Sequence, residues 1–256
     1  MAILLGVESL TKRFRGLTAL EDVTFSVGQG EIVGLIGPNG AGKTTCLNII
    51  TGYLKATGGR ITFQDSEVTN LEPHKTARHG IVRTFQQTSV FLNISVEENV
   101  KTGGYLHART NLMAAVLRSP VYWRGWASRA GWVDEILGRV ALQDHRQTLA
   151  ANLAYGNLRR LGIAIALAAR PKLLLLDEPA AGMTPTEAAG LMTLIQQLRN
   201  DGITVLVVEH NMKVIMGICD RIVVLEHGKK IAEGNAHSIR HNPEVISGYL
   251  GKRVRD

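Results

Sequence analysis

The stretch Gly37-Pro-Asn-Gly-Ala-Gly-Lys-Thr44 decides the reading of this chain. It fits the pattern G-x-x-x-x-G-K-[ST] letter for letter, follows the apolar run Glu31-Ile-Val-Gly-Leu-Ile36, and precedes an expected helix. Glycines at 37, 40 and 42 let the backbone curl so that N–H groups face a phosphate, and the following helix N-terminus adds partial positive charge. Lys43 supplies a point charge to the β and γ phosphates, and the Thr44 hydroxyl suits a Mg²⁺ ligand. Pro38, Asn39, Ala41 and Thr45 complete the run expected to line a nucleotide. A glycine-rich turn without a ligand is the weaker reading.

Working outward, Leu173-Leu-Leu-Leu-Asp177 reads as a buried strand whose end delivers one carboxylate to the metal, directly or through water. Glu178 follows at once. Because side chains alternate along a strand, the two carboxylates need not share a task, and Glu178 is expected to act as a general base on the attacking water. His210 ends the next strand, in Val207-Val-Glu-His-Asn211, and so emerges at the same sheet edge, where a contact to the γ-phosphate is expected. Gln86 closes Ile81-Val-Arg-Thr-Phe-Gln86; taken alone it is a polar loop residue.

The remaining pattern sets the frame. Residues 3–35 read as short strands, residues 60–68 alternate as a strand should, and Gly80–Phe85 suggests another. From Ser95 to Ala168 the strand signal fades, and Trp132, Val133, Ile136, Leu137 and Val140 recur at helical spacing. The last third returns to alternation. Thr184-Pro-Thr-Glu187 reads as a capping box opening a helix, and Arg221–Leu225 with Lys230–Ala232 brackets a His227-Gly228 turn. Strands alternating with helices imply an α/β core with a mainly parallel sheet.

Bulk numbers exclude several classes. The 256 residues, 45% hydrophobic and 20% charged, suffice for a sizeable core. The net charge of +7 admits nucleic acid, an anionic membrane surface or a polyanionic ligand such as a nucleoside triphosphate. Its basic residues are dispersed without the aromatic interleaving of a single-strand platform, so no direct nucleic acid is expected. Two cysteines, Cys46 and Cys219, form no disulfide framework and fit a reducing compartment. No apolar run reaches the ~18–20 residues of a membrane helix, and the N-terminus lacks the features of a signal peptide.

The order GPNGAGKTT, TFQQ, NLAYGNLRR, LLLLDEP and VVEH resembles the nucleotide-binding subunit of ATP-binding cassette transporters over nearly the whole chain. The resemblance implies a P-loop NTPase of the cassette type: a single domain over 1–256, whose core and antiparallel β subdomain take about 1–93 and 160–256. A helical subdomain with the signature motif takes about 94–159. It implies an ATPase using ATP and Mg²⁺ at the cytoplasmic face of a membrane. Transmembrane permease subunits, a second ATPase subunit and a solute-binding protein are the implied partners. Carried over residue by residue, Phe14 resembles the aromatic that stacks on adenine, and Gln86 the hinge glutamine that ligates Mg²⁺ and senses the permease. Ala154, Tyr155 and Gly156 occupy the signature that closes over the nucleotide of a partner subunit. Ala154 stands for the usual serine, Tyr155 for a glycine and Asn157 for a glutamine; Gly162 and Ile165 replace an expected charged pair, and Thr184 an expected aspartate.

LAYG, DEPAAGM and NPEVISGYLG look most like ATPases of branched-chain amino acid importers, as does the insertion around Leu106 to Trp126. Alternatives from the same resemblance are urea or amide importers and lipopolysaccharide export. A soluble cassette acting on nucleic acid or the ribosome would usually carry two cassettes or an added arm; a P-loop kinase would leave LAYGN without a purpose.

Overall fold

A computed structural model of the chain describes residues 2–84, 90–107 and 131–247. The chain divides into two compact units, the first formed by Met1–Gln86 with Lys172–Asp256 and the second by Gln87–Pro171.

The first unit holds two sheets. A four-stranded antiparallel sheet, ordered β2-β1-β4-β5, contains β1 (Ile3–Phe14), β2 (Leu17–Gly28), β4 (Gly58–Phe63) and β5 (Ser66–Glu67). Most of the short strands expected over residues 3–35 merge into a single long hairpin, since β1 and β2 have 12 residues each. Register shifts along their pairing absorb breaks in the apolar alternation, which is why the sequence reads as shorter pieces.

A six-stranded sheet runs β10-β9-β3-β8-β7-β6. Its centre is β3 (Ile32–Ile36), β8 (Thr204–Val208) and β7 (Leu173–Asp177), all buried along their whole length. Near-continuous apolar runs of this kind are what a parallel strand covered on both faces requires. β6 (Ile81–Arg83) lies beyond β7, and β9 (Arg221–Glu226) beyond β3. β10 (Lys229–Gly234) turns back antiparallel to β9 through His227-Gly228. The expected strand over Gly80–Phe85 is three residues long among the described residues; Phe85 and Gln86 lie outside them.

Helices α1 (Lys43–Ile50), α2 (Pro73–His79), α6 (Pro185–Asn200), α7 (Met212–Ile218) and α8 (Ala236–Arg240) belong to this unit. The capping box read at Thr184–Glu187 is present: Thr184 Oγ1 accepts from the Glu187 N–H at 3.3 Å, and Glu187 Oε2 accepts from the Thr184 N–H at 2.9 Å. That cap occupies the Thr184 side chain. Cys46 is buried, which pushes its thiol up to about 12.

The second unit contains α3 (Val96–Gly103), helical residues 131–139 (α4) and α5 (Tyr155–Ala168). Val133, Ile136, Leu137 and Val140 are buried, as their spacing predicts. Arg146 clasps both oxygens of Glu97 at 2.7 and 3.0 Å and holds that carboxyl down at about 2. A boundary near 159/160 would cut α5, a continuous helix; the compact division falls at 171/172 instead. Most of the insertion read around Leu106 to Trp126 lies outside the described residues. Among the described residues, no helix is long and apolar enough to cross a membrane.

Candidate functional site

Parallel pairing sets three loops side by side. β8 lies between β3 and β7, with Leu35 and Asp177 both in register with Val208. The loops leaving the carboxyl ends of these strands therefore carry Gly37–Thr44, Asp177–Glu178 and Glu209–His210 at one edge of the sheet. That edge is where open α/β sheets hold their ligands.

The first loop is shaped by glycine. Gly37 and Gly42 have φ of 152° and 101°, and a Cβ there would fall 2.1 Å from Leu225 O and 2.7 Å from Ala19 O respectively. Helix α1 starts from Gly42 without a side-chain cap, so its first turn keeps donors for an anion. Lys43 is 6% exposed, and its Nζ donates to Gly37 O at 2.8 Å and Pro38 O at 2.9 Å. Burial lowers the Lys43 pKa, opposed by the charges of Glu178 and Asp177. Thr44 is exposed in the first turn of α1, with Thr45 half-buried beside it; Asn39 and Gly40 are exposed, Pro38 half-buried and Ala41 buried.

The carboxylates differ sharply. Asp177 is 3% exposed, and its Oδ2 accepts from Arg83 Nη2 at 2.5 Å. Arg83 Nη1 donates in turn to Asn48 Oδ1 at 2.6 Å, tying β7 to the back of α1. Glu178 instead turns away in the left-handed region at φ 48°, a conformation costing about 1–3 kcal/mol for a residue with a Cβ. Its Oε1 lies 2.6 Å from His210 Nε2. Glu178 lies one residue past the end of β7, so its left-handed backbone, and not strand alternation, sets its course, and His210 meets it. Both face an open cleft of about 590 Å³ that also touches Ala180 and Asn211.

Two expected contact regions lie elsewhere in the chain. Phe14 ends β1 at the hairpin tip, 42% exposed, with Lys12 Nζ 4.8 Å from its ring centroid. A core role for this ring is excluded. It pairs with Leu17, two residues before Ala19, whose carbonyl abuts Gly42. In the second unit, Ala154 is the N-cap of α5 and its methyl group cannot cap. Gly156 is buried in the first turn. Tyr155 is 45% exposed, and its hydroxyl accepts from Arg159 Nε and Nη2 at 3.0 and 2.5 Å, while Asn157 Nδ2 lies 3.2 Å from His145 Nε2.

Residues 20–181 match the family model described as ABC transporter. The chain belongs to the ABC transporter family. It is 43% identical over 250 residues, 97% of this chain and 98% of the relative, to the high-affinity branched-chain amino acid transport ATP-binding protein LivG of Salmonella typhimurium. It is 34% identical over 98% of both chains to the lipopolysaccharide export system ATP-binding protein LptB of Escherichia coli K12. The ADP conformation of MJ1267, an ATP-binding cassette of an ABC transporter, superposes with a TM-score of 0.83 at 30% identity, covering 98% of this chain and 100% of that one. As a member of this family the protein is an ATP-binding ATPase, and the fold is the cassette-type P-loop domain.

The donor set fits a divalent cation beside the nucleotide of an ABC ATPase. Asp177 Oδ1 is buried without a hydrogen-bond partner among the described residues. An orphaned carboxylate oxygen at the end of a strand, on the sheet edge that also carries the phosphate loop, is what a hard cation with oxygen ligands takes up. Two residues that shape this ABC site escaped the sequence reading: Arg83 and Glu209. Each is a charge set in or against an apolar strand run, and that is the signal that could have marked it.

Proposed function

We propose that this protein is the ATP-hydrolysing motor subunit of an importer for branched-chain amino acids. The observation that carries the solute class is near-full-length identity of 43% to a relative named for that transport, against 34% to one named for lipopolysaccharide export. In this reading ATP lies along Gly37–Thr45, with Lys43 on the β and γ phosphates and adenine on Phe14. Thr44 and the orphaned Asp177 oxygen hold Mg²⁺, which supplies charge neutralisation to the phosphates; Gln86, outside the described residues, joins them. Glu178 accepts the proton of a water that attacks the γ-phosphorus, the bridging P–O bond to the β-phosphate breaks, and ADP leaves. His210 holds Glu178 in place from 2.6 Å and reaches toward the γ-phosphate.

Two ATPase subunits close head to tail, so that Ala154, Tyr155 and Gly156 of one copy meet the ATP on the other. With no hydroxyl at 154, that contact runs through backbone N–H groups at the start of α5. ATP acts as the ligand that selects the closed pair, and closure moves permease subunits from the cytoplasmic face of the membrane, with a solute-binding protein delivering cargo.

The deciding experiment is uptake of labelled leucine, isoleucine and valine by cells lacking the gene and its substitutes. Rescue by wild type and not by Glu178→Gln supports the proposal; undiminished uptake in the null strain moves the solute to urea, another amide or an exported lipid. At the protein level, Lys43→Ala should weaken ATP binding by about ten- to a hundredfold, the loss of one or two charge-assisted hydrogen bonds. Fluorescent-nucleotide titration measures it, and unchanged affinity removes Lys43 from the phosphate site.

A further inference from the structure

We infer that Glu209 is a positioning residue for hydrolysis: its carboxylate staples the loop carrying Glu178 to the loop carrying His210. Glu209 is 2% exposed, yet among the described residues it pairs with backbone and not with a cation. Its Oε1 accepts the Ala180 N–H at 2.7 Å, and its Oε2 accepts the His210 N–H at 3.0 Å and the Asn211 N–H at 3.2 Å. Ala180 lies two residues past Glu178, and His210 and Asn211 belong to the loop after β8. One side chain therefore fixes the backbone on both sides of the 2.6 Å contact between Glu178 and His210. The Glu178 N–H, donating to Val208 O at 2.8 Å, adds a further tie close to that pair.

The donors specify the residue type. Three converging N–H groups call for a group that only accepts, and an ionised carboxylate has about four lone-pair sites and no hydrogen to present. Glutamine has nearly the same shape, but one end is an NH₂ donor; set in this nest it faces an N–H wherever it turns. An apolar side chain would leave buried donors unsatisfied. Aspartate keeps the acceptor chemistry and is one methylene short of spanning both loops. The consequence for the cleft is precision: Glu178 already sits in the left-handed region, and a loop free to relax from φ 48° would carry its carboxylate off the line to His210.

This inference rests on the proposed roles of Glu178 and His210, and the test separates the two. Hydrolysis is measured at single turnover with enzyme in excess, beside binding of a non-hydrolysable ATP analogue, for wild type, Glu178→Gln, His210→Ala, Glu209→Gln and the His210→Ala/Glu209→Gln double variant. Glu209→Gln should lower the hydrolysis rate about tenfold or more while analogue affinity stays within about twofold. In the His210→Ala background the same change should cost under about threefold, because the Glu178–His210 contact whose alignment the staple sets is already gone. Full loss in both backgrounds makes Glu209 a general stabiliser of the fold and overturns the positioning role, as does unimpaired hydrolysis by Glu209→Gln beside a stalled Glu178→Gln. Normal hydrolysis by Glu178→Gln overturns instead the reading of the site beneath it. Where Glu209→Gln does not bind the analogue, Glu209→Asp carries the same comparison with the charge retained.

Discussion

Glu178→Gln is expected to bind ATP with wild-type affinity and to hydrolyse it roughly a hundred- to a thousandfold more slowly, the usual worth of a positioned general base. The substitution leaves the shape of the cleft and an oxygen for His210, 2.6 Å away, and removes only the basicity. Asp177, 3% exposed and bonded to Arg83, keeps its place, so the metal and nucleotide contacts proposed for it are untouched. Binding and hydrolysis then separate cleanly. A protein that binds without hydrolysing holds its ATP-selected state, so the variant should also accumulate as a pair of subunits in ATP and fall apart in ADP. Two measurements check this: phosphate release under saturating ATP, and size-exclusion chromatography with light scattering in each nucleotide. Phosphate release at the wild-type rate would remove Glu178 as the base and leave the cleft to another group.

How much of this is legible in the sequence follows from where the information sits in the chain. The phosphate loop, Asp177, Glu178 and His210 each lie at the end of an apolar run, and strand order then brings those ends together. Contiguous motif and flanking pattern are enough. Gly37 and Gly42 are legible for the same reason: backbone at φ 152° and 101°, pressed against Leu225 O and Ala19 O, excludes other residues at the letters of the motif itself. Arg83 and Glu209 are not, because each has a partner far along the chain: Asp177 is 94 residues from Arg83, and Ala180 is 29 from Glu209. No local period encodes such a pair. The length of the β1–β2 hairpin is hidden for a different reason, since register shifts at several points break the alternation a reader follows. Thr184 carries both readings at once: it departs from the family's aspartate, and it caps α6 as the Thr184–Glu187 spacing predicts.

Arg83→Met is expected to lower stability by about 3–5 kcal/mol, the cost of leaving a buried charge without its partner. Arg83 and Asp177 side chains are 6% and 2% exposed, so water cannot replace the 2.5 Å contact, and Asn48 loses its donor in the same stroke. An unfolding midpoint lower by on the order of 10 °C follows for a chain of this size. The double variant Arg83→Met/Asp177→Asn should recover some of that loss, because it removes the stranded charge; a single variant within about 1 kcal/mol of wild type would show that the pair contributes little. The cation proposed for this site makes a sharper distinction. With Arg83 gone, Asp177 keeps its full charge for Mg²⁺, and adding Mg²⁺ with a non-hydrolysable ATP analogue should raise the midpoint of Arg83→Met by more than it raises that of wild type. Equal shifts in both proteins would mean that Arg83 and the metal do not share Asp177, and would assign the orphaned Oδ1 to the metal without competition from the arginine on Oδ2.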